Sequence, residues 1–110
     1  MSTPKKMTIA VCAERVQFMD IACIDALTNC SRKILEELVD LGTEQLIPQA
    51  PEMTVHWPAS TMNLATVTSD FNFKPTCTYD DCPRDLDFLL IGGPLLHHRP
   101  AGADKLFKEC

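Results

Sequence analysis

The hydrophobic positions of this chain change rhythm several times, and each change predicts an element. Met7-Thr8-Ile9-Ala10-Val11-Cys12 is a compact β-prone run and predicts the first strand. After a mixed loop at 13–18 the spacing becomes helical. Ile21, Ile24 and Leu27 recur three apart, with Ala22 and Ala26 beside them. Thr28-Asn29-Cys30-Ser31 interrupts that stripe. Ser31 is placed to cap a second helical segment carrying Ile34, Leu35, Leu38, Val39 and Leu41, and Gly42 is its natural stop.

Beyond Gly42, residues 43–52 contain Pro48 and Pro51 and read as a loop. Met53-Thr54-Val55-His56-Trp57 predicts a second strand, ended by Pro58. Residues 59–80 read as a β-excursion. Thr66-Val67-Thr68 and Phe71-Asn72-Phe73 are its extended pieces, and Ser69-Asp70 turns between them. Tyr79-Asp80-Asp81-Cys82-Pro83 reads as a single acidic turn or a one-turn helix. Residues 87–91 then predict a parallel strand buried on both faces, because Phe88-Leu89-Leu90-Ile91 runs without alternation. Gly92-Gly93-Pro94 stops it abruptly, and residues 102–109 start a helix with Leu106 and Phe107 on its apolar side.

Strand, helix, strand, β-excursion, strand and helix in that order imply an α/β fold with a mostly parallel sheet. Right-handed crossovers place strand 7–12 between the other two or beside them. The loops after residues 12 and 91 then open at the carboxyl edge of the sheet, where ligands and chemistry sit in open α/β folds.

Composition narrows the reading. A chain of 110 residues is one small domain, burying roughly 65% of its unfolded surface. Hydrophobic residues at 45% and charged residues at 23% are ordinary for a globular protein. A net charge of −5 without a basic stripe argues against nucleic acid as a partner. No apolar run is long enough for a membrane span, and no secretory leader is recognisable, so the expected location is cytoplasmic. Cys12, Cys23 and Cys30 read as free buried thiols acting as small hydrophobes. Cys77 and Cys82 would need two further ligands to hold a metal, and His97 and His98 do not supply the spacing. No metal and no cofactor are expected.

Two segments carry a family resemblance. Val16-Gln17-Phe18-Met19-Asp20-Ile21-Ala22 after the first strand, together with Asp87-Phe88-Leu89-Leu90-Ile91-Gly92-Gly93-Pro94, resembles the ThiJ/PfpI family of the class I glutamine amidotransferase-like superfamily. The segment from Thr66-Val67-Thr68-Ser69-Asp70 to Asp80-Asp81-Cys82-Pro83 is similar to the family's approach to its third long strand. The likeness covers nearly all of 7–110 and is nearest to the isonitrile-hydratase-like and fungal members, which place an aspartate in this first loop. It implies a flavodoxin-like sandwich, usually dimeric. It also implies a nucleophilic cysteine on a strand-to-helix elbow, in a Val-Cys-Thr-Gly-like motif one helix and one strand beyond the Gly-Gly corner. Lys108-Glu109-Cys110 does not have that form. The expectation is a disordered tail over 1–6 followed by the amino-terminal part of such a domain over 7–110, a partial sandwich lacking its carboxyl-terminal half and its nucleophile.

By the same resemblance, Asp20 is the acid–base residue, and the backbone N–H groups of Gly92 and Gly93 help form an oxyanion hole. From the residues alone, Asp20 equally fits a first-turn acid complementing a helix dipole, and Gly-Gly a tight turn needing positive φ. Glu14 shares the loop and is an alternative acid, though more simply a solvated one. His97 and His98 border the corner and read as surface residues. Trp57 packs the sheet against a helix or a dimer partner. A thiol inside a strand lacks thiolate-stabilising neighbours, which argues against Cys12 as nucleophile.

Two functions follow. One is a hydratase- or hydrolase-like unit, inactive by itself, that acts on a small molecule only if another chain supplies the missing half. The other is a non-catalytic interaction module that forms a homodimer, or joins a related chain, through uncovered sheet. A receiver domain lacks its acidic triad here. A nucleotide-binding domain lacks its phosphate cradle, because the loop after strand 7–12 holds no glycine.

Overall fold

A computed structural model describes residues 5–93 and 102–110. Its centre is strand β1 (Lys6–Cys12), paired in parallel on both sides. On one side lies β2 (Glu52–His56), in register from Lys6 opposite Glu52 to Ala10 opposite His56. On the other lies β7 (Phe88–Ile91), with Ile9 opposite Phe88 and Cys12 opposite Ile91. Between them in sequence are four two-residue strands: β3 (Pro58–Ala59), β4 (Ala65–Thr66), β5 (Asn72–Phe73) and β6 (Cys77–Thr78). β3 pairs β6 in parallel, and β4 pairs β5 antiparallel across the turn at 68–70.

The alternation of β1 divides the core in two. Ile9 and Val11 face helix α1 (Phe18–Thr28) and meet Ala13, Val16, Ile21 and Val67, with Ile24, Leu27 and Leu90 against them. Ala10 and Cys12 face the opposite layer. There they pack on Tyr79, Cys82 and the Ala103 and Leu106 side of α3 (Ala103–Glu109). The protein is therefore a mixed α/β unit with a three-stranded parallel sheet between helical layers. Ile9, Ala10 and Val11 are completely buried because a helix or turn covers each side of the central strand.

Helix α2 (Arg32–Glu37) begins where the hydroxyl of Ser31 accepts from the N–H of Ile34 at 3.4 Å, and the segment ends at Gly42 with φ +90°. Both signals were legible in the sequence. The stripe between them is only partly covered, however, and Leu41 is 78% exposed. Residues 44–49, expected as an irregular loop, form a 3-10 turn containing Pro48.

Three further expectations need correction. Among the described residues β7 is an edge strand and is not buried on both faces. Phe88 and Ile91 are each 49% exposed, and it is β1 that is covered on both sides. An unbroken apolar run does not distinguish a central strand from an uncovered edge. Cys23 and Cys30 are exposed, unlike Cys12 and Cys82; Cys23 stands at the open rim of an apolar slot between α1 and β7, beside Ile24 and Leu27. Of the expected tail, residues 1–4 lie outside the described residues. Lys6 already opens β1, and the carbonyl of Lys5 accepts from the N–H of Glu52 at 2.7 Å. Among the described residues no helix is long and apolar enough to cross a membrane.

Candidate functional site at the carboxyl edge of the sheet

β1 and β7 both end at the same edge of the sheet, and the chain leaving each is tied to the other. The loop after β1 turns sharply at Arg15, whose φ of +57° is a conformation few side chains adopt. Its course is fixed from the β-excursion. Arg15 N–H donates to Thr66 O at 2.8 Å, Thr68 N–H donates to Val16 O at 3.1 Å, and the Thr68 hydroxyl accepts from Phe18 N–H at 2.9 Å. The last bond supplies the cap that Gln17 at the start of α1 does not provide with its own side chain.

α1 is thereby aimed so that Asp20, in its first turn, meets the Gly-Gly corner. The N–H of Gly93 donates to Asp20 Oδ2 at 2.8 Å. The carbonyl of Gly93 accepts from Gln17 N–H at 3.1 Å. Both main-chain groups of Gly93 are thus held by the start of α1. Gly92 is anchored on the sheet, its N–H donating to Cys12 O at 3.3 Å. The three residues singled out in the sequence, Asp20, Gly92 and Gly93, come together at one edge, and both glycine N–H groups already have acceptors within the chain.

Glycine is required at this corner for space. The positive-φ glycines among the described residues are Gly42 and Gly102, so the expected positive-φ turn is not the reason for Gly92 and Gly93. A Cβ on Gly92 would lie 2.8 Å from Val16 Cγ2, and one on Gly93 would lie 2.6 Å from Asp20 Oδ2. The pair allows α1 to approach the end of β7 closely, and that approach brings the carboxylate onto the backbone.

Glu14 does something sequence reasoning missed. Expected to be solvated, it is half-buried, and its Oε2 accepts three hydrogen bonds: from Ser60 N–H at 2.9 Å, the Ser60 hydroxyl at 2.9 Å and the Tyr79 hydroxyl at 3.0 Å. Tyr79 is buried, and burial together with the neighbouring Glu14 carboxylate pushes its hydroxyl far above the ordinary tyrosine range. Glu14 is a structural tie between the end of β1, the end of β3 and the turn after β6. The signal that could have found it is the buried Tyr79, whose hydroxyl needs a partner.

The thiols are placed as follows. Burial, with smaller contributions from Cys82, Cys110 and Cys77, pushes Cys12 up to about 12. Cys82 is pushed up to about 12 by burial and then by the neighbouring Cys77. Neither is a thiolate at neutral pH. Among the described residues no thiol hydrogen-bonds the Asp20 carboxylate. Cys23 Sγ donates instead to the main-chain oxygen of Asp20 at 3.6 Å. Among the described residues no three His, Cys, Asp or Glu side chains are grouped to hold a metal ion. His97 and His98 lie outside the described residues.

A cleft of about 480 Å³ opens elsewhere on α1, between Phe18, Trp57, Phe71 and Phe73, with Asp25 and Lys74 among its lining residues. Trp57 packs on Phe73 with ring centres 5.9 Å apart, and Phe18 meets Phe71 edge-on at 5.3 Å. Asp20 does not line this cleft. The acid and the apolar cleft are separate features of the same helix. Comparison with family models, with curated proteins and with solved structures returns no match to this chain.

Proposed function

We propose that this chain is a ThiJ/PfpI-like α/β unit carrying the acid side of a cysteine-dependent hydratase or hydrolase site. In this reading the parallel sheet with helices on both faces is one wing of a flavodoxin-like sandwich. Asp20 is its acid–base residue, and the Gly92-Gly93 corner provides the backbone donors. The observation that supports it is the 2.8 Å bond from Gly93 N–H to Asp20 Oδ2. It joins residues 73 apart in sequence at the edge where open α/β sheets do chemistry. An exposed carboxylate with one oxygen fixed keeps the other for a water or a thiol. Gly93 can serve an oxyanion only if Asp20 releases its N–H, so the two roles alternate at one donor. Since no described thiol meets the carboxylate, the reading requires the nucleophile from another segment or chain, with a small molecule as substrate. Incubation with isonitriles or activated acyl compounds tests it. The chain alone gives no turnover, and turnover that survives Asp20→Ala would refute the assignment.

A second reading is favoured by a separate observation. Among the described residues no strand pairs with the outer edge of β7, whose Phe88 and Ile91 are half-exposed, and edges of this kind recruit other strands. In that reading the unit is a non-catalytic interaction module. Size-exclusion chromatography tests it: a compact monomer at every concentration, with no partner strand bound, counts against it.

A further inference from the structure

The aromatic cleft on α1 is built from three stretches: α1 itself, Trp57 just beyond β2, and the run from Phe71 to Lys74 around β5. All of them fall between residues 18 and 74, which are described without a break. Phe18, Ile21 and Asp25 recur at helical spacing, so one side of α1 supplies both an apolar wall and an acid. The rings stand in two pairs, Phe18 with Phe71 and Trp57 with Phe73. Phe18 and Phe71 remain partly exposed, which leaves ring surface free for a guest. The volume of about 480 Å³ lies within the roughly 300–1,000 Å³ of small-molecule sites.

Two charged residues decide the class of the guest. Asp25 and Lys74 both line the cleft, and both are exposed. They do not pair with each other, and among the described residues neither has another ion-pair partner. Asp25 lies in the last turn of α1, where the helix dipole disfavours an acid, so its place there does nothing for the helix. We propose that the cleft binds a free aromatic α-amino acid. The ring of the guest packs on the aromatic side chains, its ammonium meets Asp25 and its carboxylate meets Lys74. A hydrocarbon would leave both charges unused, and a guest of one charge would meet a like charge on one side. A zwitterion on an aromatic body satisfies walls and charges together. Neither Asp20 nor the outer edge of β7 takes part, so this site stands apart from both functional readings. The guest is small and its ion pairs are open to solvent, which gives a Kd on the order of 1 mM.

Trp57 is the sole tryptophan and lines the cleft, so its emission reports occupancy. The full chain is titrated with L-phenylalanine, which does not emit in the tryptophan band, and followed by Trp57 fluorescence and by calorimetry. The expected result is saturable binding at one site. L-Leucine, which keeps both charges and lacks the ring, binds about fivefold more weakly. Phenylpropionate keeps only the carboxylate and phenethylamine only the ammonium, so these two divide the roles. Asp25→Asn weakens L-phenylalanine and phenethylamine about threefold and does not weaken phenylpropionate, and Lys74→Gln does the reverse. Both residues are exposed, and circular dichroism melts confirm that each variant is folded. Absence of binding up to about 20 mM, twenty times the expected Kd, overturns the proposal. So does L-leucine binding as tightly as L-phenylalanine, or L-phenylalanine binding that both variants leave unchanged. A Trp57 emission that shifts with protein concentration and ignores L-phenylalanine would show a second copy in the cleft, and overturns it equally.

Discussion

Gly93 N–H and the Asp20 carboxylate are 2.8 Å apart although 73 positions separate them, and this bond fixes the first turn of α1 to the end of β7. Its geometry predicts a graded response. Asp20→Ala removes the acceptor and leaves the Gly93 N–H to water, at a cost of about 1 kcal/mol for a charge-assisted bond at an exposed site. Asp20→Asn keeps an oxygen acceptor and costs less, while removing the acid needed for proton transfer. Urea melts of the three proteins order them wild type, Asp20→Asn, Asp20→Ala. An Asn variant as unstable as the Ala variant would show that the oxygen does not hold the corner.

The two glycines beside that bond are expected to differ in cost. At Gly92 a methyl group meets Val16, which is buried and fixed, so Gly92→Ala costs about 1–3 kcal/mol through overpacking. At Gly93 the methyl meets the end of the exposed Asp20 side chain, which can swing aside, so Gly93→Ala costs about 1 kcal/mol, the value of the lost bond. A double-mutant cycle separates them. Val16→Ala recovers part of the Gly92→Ala loss and none of the Gly93→Ala loss. Absence of rescue at Gly92 would place its strain elsewhere.

The elements that the sequence announced most clearly are those whose local signals agree with their tertiary surroundings. The run from Met7 to Cys12 is apolar and central; Ser31 and Gly42 mark the second helical segment because capping and positive φ are local requirements. Asp20, Gly92 and Gly93 were legible as residues, while the reason for the glycines was not. Close approach of α1 depends on where Val16 and Asp20 land, which a single sequence does not encode locally. Glu14 was missed for a similar reason: its partners Ser60 and Tyr79 are 46 and 65 positions away. The β7 run shows the converse, since its apolarity was plain but its edge position depends on which neighbours the sheet has.

The Glu14 tie gives an asymmetric mutational response. Tyr79→Phe removes the donor cleanly and leaves Glu14 two bonds from Ser60, at a cost of about 1 kcal/mol. Glu14→Ala is worse, by about 2–3 kcal/mol in total, because it strands a buried Tyr79 hydroxyl and releases Ser60. Tyr79→Phe in the Glu14→Ala background then costs little or restores stability. Thermal melts of the four proteins check the cycle. Independent, additive losses would mean the hydroxyl and carboxylate do not act on each other.

The buried thiols set the alkaline limit of the fold. Cys12 and Cys82 are pushed from 9.0 up to about 12, chiefly by burial. Between those values the unfolded chain has released these protons while the folded chain still holds them. Stability therefore falls as pH rises through this window, and below pH 9 the two thiols exert no such pull. Tyr79, also raised from 10.0 by burial, acts in the same direction. Urea melts from pH 7 to pH 11 are expected to show a flat region followed by a decline. Cys12→Ala lowers stability at neutral pH through a small cavity, yet declines less steeply, so the two curves approach each other at high pH. Thiol labelling at pH 8 gives an independent reading of the same burial. Cys23, Cys30 and Cys110 react at once, Cys77 more slowly, and Cys12 and Cys82 only on unfolding. Parallel wild-type and Cys12→Ala profiles, or rapid labelling of Cys12 in the folded protein, would mean that β1 is not sealed between its two layers.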